Sequence, residues 1–164
     1  MKALINFANV SGVNPSLLNA VEEVNTKQLN QIISITEQRF GNIKDKKISI
    51  LGTAFKPNTD DIRDSIAIEL IKKFLKKGVK ITVHDPRALE NTRNVFEDKI
   101  NYRKSVSDAI QDSQCVIIMT QWKQYQKLTN NDFKNMKRKI VIDCRRILVE
   151  KQLDVDYFAI GIGK

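Results

Sequence analysis

"ILGTAFKPNTDDIRDS", residues 50–65, closes an apolar run and opens a helical pattern. Residues 48–51, apolar but for Ser49, stop at Gly52, and helical spacing begins near residues 61–65. A dinucleotide-binding turn would place three glycines in between, so that the backbone could approach a pyrophosphate at the helix start. Here one glycine is followed by Phe55, Lys56 and Pro57, and then by Asp60, Asp61 and Asp64 around Arg63. The stretch therefore predicts the strand–turn–helix unit of a parallel sheet, with side-chain charges where glycines would otherwise stand.

Outward from it the same alternation continues. "ISILG" reads as a strand, residues 65–77 as a helix and "VKITVHD" as a strand. Residues 106–112 read as a helix and "CVIIMT" as a strand. Residues 124–135 read as a further helix, followed by "KIVIDC" and a last strand within "VDYFAIGIGK". Continuous apolar strands alternating with helices predict an α/β fold, a doubly wound and mainly parallel sheet covered on both faces. In such sheets ligands sit beyond the carboxyl ends of the strands.

The first 44 residues differ. Residues 1–10 read as the tail of an amphipathic helix, with Ala3, Leu4, Phe7 and Ala8 on one side and Gly12 as its stop. No cap precedes it, so the chain is expected to begin inside an element. Asn14 reads as an N-cap and Pro15 as the first helical residue. Leu17, Leu18, Val21, Val24, Leu29, Ile32 and Ile33 then follow a helical stripe up to Gly41. About 26 residues at 1.5 Å each give roughly 39 Å, which outreaches a small domain. Such a helix is expected to span two domains or to pack against a partner subunit. The predicted organisation is a helical segment at 1–44 and an α/β domain at 45–164.

Bulk composition excludes several classes. The 164 residues suffice for one domain with a real core. No apolar run reaches the roughly 18 residues of a membrane span, and no secretory leader is expected. Cys115 and Cys144 are far apart, with one histidine in the whole chain, which excludes a disulfide framework or a zinc site. A reducing, cytoplasmic setting is the default expectation. The net charge of +9 favours anionic partners, although Lys72, Lys73, Lys76, Lys77 and "KNMKRK" at 134–139 also read as a solvated surface. No nucleic-acid motif accompanies them.

Three strand ends carry candidate chemistry. Lys56 could neutralise a phosphate and Phe55 could cover a base or sugar face, or both could belong to a plain surface loop. Arg63 lies near a helix start, where a cation is unfavourable unless an anion offsets it. It reaches either a phosphate or a neighbouring aspartate, and one of those aspartates is expected to cap the helix. In "VIDCRRIL", residues 141–148, Arg145 and Arg146 suit a bidentate grip on phosphate or carboxylate, or an ion pair with Asp143. Cys144 has no general base nearby in sequence and is not expected to be a nucleophile. "VHDP", residues 83–86, puts an acid where a dinucleotide fold would hold a ribose, but without the glycine turn. His84 reads as structural.

Together "LGTAFKPNTDDIRDS", "VHDP", "TQWKQY" and "VIDCRRIL", in that order, resemble the carboxyl-terminal domain of the UDP-glucose/GDP-mannose dehydrogenase family. The helix "LLNAVEEVN" does too. The resemblance runs from about residue 2 to the end. It implies a Rossmann-like domain that binds the UDP part of a nucleotide sugar. In this family an amino-terminal domain binds NAD, and a C6 alcohol is oxidised twice to the uronic acid. The long helix joins the two domains and builds a homodimer. The resemblance assigns Phe55, Lys56 and Arg145 to the UDP-sugar and Arg63 to NAD reached across the domain cleft. Asn25 matches a recurring position, and Arg146 has no assigned role. The family's G-x-G-F-G-G-x-C-x-P-K-D motif is not in this sequence, and Cys144 falls where relatives have a small residue. The chain alone is therefore expected to lack a catalytic residue, a metal and its own NAD domain. The sugar stays open between glucose and others such as N-acetylmannosamine. A free-standing UDP-binding or dimerisation module is the rival expectation.

Overall fold

The computed structural model describes residues 2–161. Two helices lead the chain: α1 at Lys2–Val10 and α2 at Ser16–Phe40. Pro15, not Asn14, stands at the α2 cap position, with φ −86° and ψ 47° and no side-chain cap bond. The cap predicted at Asn14 is thus one residue early. Gly41 ends the helix at φ 69°, a left-handed backbone that glycine adopts without a Cβ clash.

Beyond residue 44 the predicted alternation holds. β1 (Lys47–Leu51), α3 (Ile66–Lys76) and β2 (Lys80–His84) form the first crossover unit. α4 (Leu89–Phe96), β3 (Asn101–Tyr102) and α5 (Val106–Ile110) follow. The chain continues with β4 (Cys115–Ile118), α6 (Asn130–Phe133), β5 (Ile140–Asp143) and β6 (Asp156–Ala159). Among the described residues the strands form one parallel sheet in the order β3-β2-β1-β4-β5-β6. Sequence order runs one way from β1 and the other way from β4, so the switch point lies between these two neighbours.

The strand residues divide between the two faces with a period of two. Ile48, Ile50, Ile81, Val83, Cys115, Ile117, Ile140 and Ile142 pack with α3 and with Leu29, Ile32 and Ile33 of α2. Leu51, Val116, Ile118 and Val141 pack with Ala109 and Ile110 of α5, with Phe133 of α6 and with Tyr125. Burial on both faces explains why these strands read as unbroken apolar runs.

Three local readings need correction. The helix expected at 124–135 is split into a 3-10 turn at Tyr125–Lys127 and the short α6. Leu128 is extended at ψ 140°, and Thr129 restarts the chain as a capping box with Asp132. α4 and β3 were not predicted. β3 is two residues long, and the turn that leads into α4 is held by a residue ahead of the helix, described below. Finally, the cap position of α3 is held by none of Asp60, Asp61 and Asp64. Ser65 holds the cap position, and Asp61 is turned to Arg63.

Candidate functional site

The carboxyl ends of β1, β4 and β5 stand side by side and form a crest. The turn after β1 is fixed first by its backbone. Gly52 has φ 95°, and a Cβ there would meet the Thr120 Cβ at 2.6 Å. Glycine is therefore needed for the close approach of the β1 and β4 turns as well as for the dihedral. Thr120 Oγ1 donates to the Ala54 carbonyl at 2.7 Å, and the Met119 N–H donates to the Leu51 carbonyl at 2.8 Å.

Past Ala54 the chain leaves the interior. The Phe55 N–H is held by the Asp61 carbonyl at 2.8 Å, while the Phe55 ring and Lys56 are exposed. Arg63 is exposed as well, its side chain 89% accessible. Its Nε and Nη2 donate to the Asp61 carboxylate at 2.8–3.2 Å, and its backbone N–H adds a bond at 2.9 Å. The guanidinium bonds, with the Arg63 amide, pull the Asp61 carboxyl down to about 2. The local ion pair foreseen for Arg63 is present, and it still leaves the guanidinium facing solvent.

On the other side of β4, Arg145 leaves β5. Its Nε donates to the Met119 carbonyl at 2.6 Å, and its backbone N–H donates to Asp143 at 2.9 Å. Asp143 is fully buried. It also accepts from the Leu148 N–H and the Tyr157 hydroxyl, each at 2.9 Å. Arg146 next to it is held at φ 56°, a left-handed conformation that a residue with a Cβ rarely adopts. Cys144 is no nucleophile in this setting: burial first, then Asp143, pushes its thiol up to about 12. Burial also raises the Cys115 thiol far above its ordinary range.

The loops carrying Lys56 and Arg145 thus attach to consecutive residues of one strand end, Thr120 and Met119. With β4 as the single strand between them, their roots are separated by two strand spacings, roughly 10 Å.

One residue here exceeds what the sequence disclosed. The Asp85 carboxylate, 2% exposed, accepts from the Thr53 and Ala54 N–H groups at 2.8 and 3.0 Å and from the Trp122 indole at 3.2 Å. Its other oxygen accepts from the Arg87 and Ala88 N–H groups at 2.9 and 2.8 Å. The acid that a dinucleotide fold would offer to a ribose is consumed inside the chain. Beside it, His84 is buried, with Nδ1 2.8 Å from the Tyr125 hydroxyl, which also donates to the His84 carbonyl at 3.0 Å. Burial holds the His84 pKa below its ordinary value and the Tyr125 pKa well above its own.

The crest is a ledge. An open dish of about 420 Å³ lies at the starts of β5 and β6 beside Arg138, Ile140 and Asp154. A second concavity of about 220 Å³ lies beside Lys47, Lys80 and Asp112. Neither includes a crest residue. Among the described residues no group of three His, Cys, Asp or Glu is gathered to hold a metal ion. No described helix is long and apolar enough to cross a membrane.

Residues 49–150, more than half of the chain, match the UDP-glucose/GDP-mannose dehydrogenase family, UDP binding domain. A UDP-glucose 6-dehydrogenase of Haloferax volcanii is 38% identical over 94% of this chain and 35% of its own length. One from Bacillus subtilis is 29% identical over 99% of this chain and 36% of its own length. The chain therefore spans about a third of the curated relatives it matches. Among solved structures, a UDP-glucose dehydrogenase from Pyrobaculum islandicum superposes with a TM-score of 0.81 at 31% identity, over 95% of this chain and 34% of its own. A UDP-N-acetyl-mannosamine dehydrogenase from Staphylococcus aureus, at 22% identity and a TM-score of 0.68 over 84% of this chain and 31% of its own, shares the fold.

Proposed function

Because the chain belongs to the UDP-glucose/GDP-mannose dehydrogenase family, we propose that its crest is the UDP-sugar side of an active site completed by an NAD-binding domain. UDP-glucose is the sugar nucleotide favoured, in line with what the names of the relatives at 38% and 31% identity state for those proteins. The observation that carries the reading is the shared anchorage of the Lys56 and Arg145 loops on Thr120 and Met119. It brings the loops of two cations to one strand end, on a ledge that a second domain would turn into a cleft.

In this reading Lys56 and Arg145 neutralise the anionic ligand, and Phe55 covers its uridine or sugar face. Arg63 reaches outward to NAD, which supplies the hydride acceptor when bound. The chain contributes binding and orientation but no catalytic residue, so alone it reduces no NAD with UDP-glucose. The exposed apolar side of residues 1–44 meets a second copy or the NAD-binding domain. A cytoplasmic setting fits a nucleotide-sugar substrate.

Calorimetric titration of UDP tests the proposal on four proteins. Lys56→Ala and Arg145→Ala should each weaken binding about ten- to a hundred-fold, the worth of one charge-assisted hydrogen bond. Lys72→Ala, whose ammonium pairs with Glu69 on the outer side of α3, should match the wild type. Equal weakening in all three variants would mean non-specific attraction to a basic chain and would overturn the assignment.

A further inference from the structure

We infer that Asp85 is the positioning residue of the crest: its carboxylate fills, from within the chain, the anion slot of the turn after β1 and so sets where Phe55 and Lys56 stand. This rests on the reading of the crest as a UDP-sugar site.

The argument begins with donors. Five N–H groups converge on one carboxylate, three on Oδ2 and two on Oδ1. A carboxylate offers about four lone-pair directions, so its capacity is used up. Its charge is met by neutral dipoles of the chain. This is how a glycine-rich turn meets a bound phosphate, through backbone N–H groups aimed at an anion. Here the anion is a side chain, and the turn is closed to an external one.

The donors come from the near arm of the loop that carries Lys56 and from the turn after β2, which in turn holds the loop's far arm. On the near arm, Ala54 is gripped at both ends, its N–H by Asp85 and its carbonyl by Thr120. Thr53 is held by Asp85 through its N–H, and its hydroxyl accepts from Thr92 of α4 at 2.8 Å. The Phe55 N–H is held in turn by the Asp61 carbonyl. In the turn after β2, Asp85 gathers the amides of Arg87 and Ala88 and so sets the start of α4. From there Arg87 Nη1 donates to the Asn58 carbonyl at 3.3 Å, and Asn91 Nδ2 donates to the Asp60 carbonyl at 2.8 Å. Lys56 sits between the two clamped arms. Trp122, the fifth donor, brings in the turn after β4, to which Arg145 is also tied. Asp85 touches no ligand in this reading and acts through the backbone it holds.

The test uses the purified chain with Asp85→Asn, which keeps the volume but turns one acceptor into a donor facing N–H groups. Asp85→Gly leaves the slot open. Amide hydrogen exchange should be at least ten-fold faster at Thr53 and Ala54 in Asp85→Asn, with Ile50 and Val116 in the strands unchanged, and UDP should bind about ten-fold more weakly. In Asp85→Gly, sodium formate should restore protection of both amides and the wild-type Trp122 indole resonance, while sodium chloride at equal ionic strength should not. Asp143→Asn should leave Thr53 and Ala54 protected.

Unchanged protection at Thr53 and Ala54 in Asp85→Asn would overturn the inference. So would loss of protection at those amides together with the strands, which is a general stabilising role. Loosened amides with unchanged UDP affinity would also overturn it. If the wild type binds no UDP, the crest assignment fails by itself, and the exchange and formate measurements still decide whether Asp85 sets this loop.

Discussion

The two halves of α2 carry the same kind of residue and meet different surroundings. In the first half Leu17, Val21 and Val24 repeat at helical spacing and face solvent, Leu17 at 76% exposure. α1 adds Leu4, Phe7 and Val10, also exposed. In the second half Leu29, Ile32 and Ile33 continue the stripe into the core that covers β1 and α3, with Ile32 at 2%. Thr36, fully buried, donates to the Ile32 carbonyl, and Lys73 of α3 and Lys77 just past its end reach back to Asn30 and Glu37. Periodicity thus marks a face that wants cover without saying which chain covers it.

The largest effect expected from this contrast is on stability. Ile32→Ala should cost about 2–5 kcal/mol, the range for a large buried aliphatic cut to alanine. Leu17→Ala should change urea-unfolding stability by less than about 0.5 kcal/mol. Comparable losses at the two sites would mean that the front half is packed in solution and would break the contrast.

Acid should sharpen it. Burial keeps the His84 pKa below its ordinary value of 6.5. The unfolded chain therefore takes up this proton first as pH falls. The stability tied to neutral His84 is full above about pH 6.5 and is lost below it, with a slope approaching 1.4 kcal/mol per pH unit. His84→Gln should flatten that slope. Protection factors, corrected for the slower intrinsic exchange in acid, should fall at strand amides and stay unchanged in the first half of α2. A slope unchanged by His84→Gln would remove the histidine from the account.

A smaller effect separates association from folding. Leu17→Ser with Val24→Ser should leave the unfolding midpoint in place and lower the mass seen by light scattering at high concentration. A wild type that scatters as a monomer at every concentration would assign the stripe to another domain. Smallest of all, Lys77→Ala should cost below about 1 kcal/mol, because its pair with Glu37 is half exposed.

Legibility in the sequence follows the same division between local and distant causes. β1, β2, β4 and β5 could be read because strands buried on both faces need unbroken apolar runs. The crest loops could be read because charge replaced glycine after one of them. The helix expected at 124–135 is broken at Leu128, and "TNND" at 129–132 held a usable stop-and-restart signal in its capping box. α4 was missed for a different reason. Its cap position is Ala88, which has no capping side chain, and the carboxylate that gathers the amides of Arg87 and Ala88 belongs to Asp85. The role of Asp85 lay beyond any local pattern, because its donors come from residues 53–54, 87–88 and 122. The Arg145 anchor on Met119 is likewise 26 positions away.

The strand order has a consequence in time. β1 is central in the finished sheet, yet one of its two neighbours comes late: Ile48 lies opposite Ile81 on one side and Cys115 on the other. During synthesis β1 and β2 are complete long before β4 emerges. Until then the apolar row Ile48, Ile50 and Leu51 has one side unpaired, the kind of open edge that recruits strands from other chains. This domain is most exposed to misassembly between the emergence of residue 84 and that of residue 118, and a nascent chain stalled there should aggregate more readily than one stalled after β5.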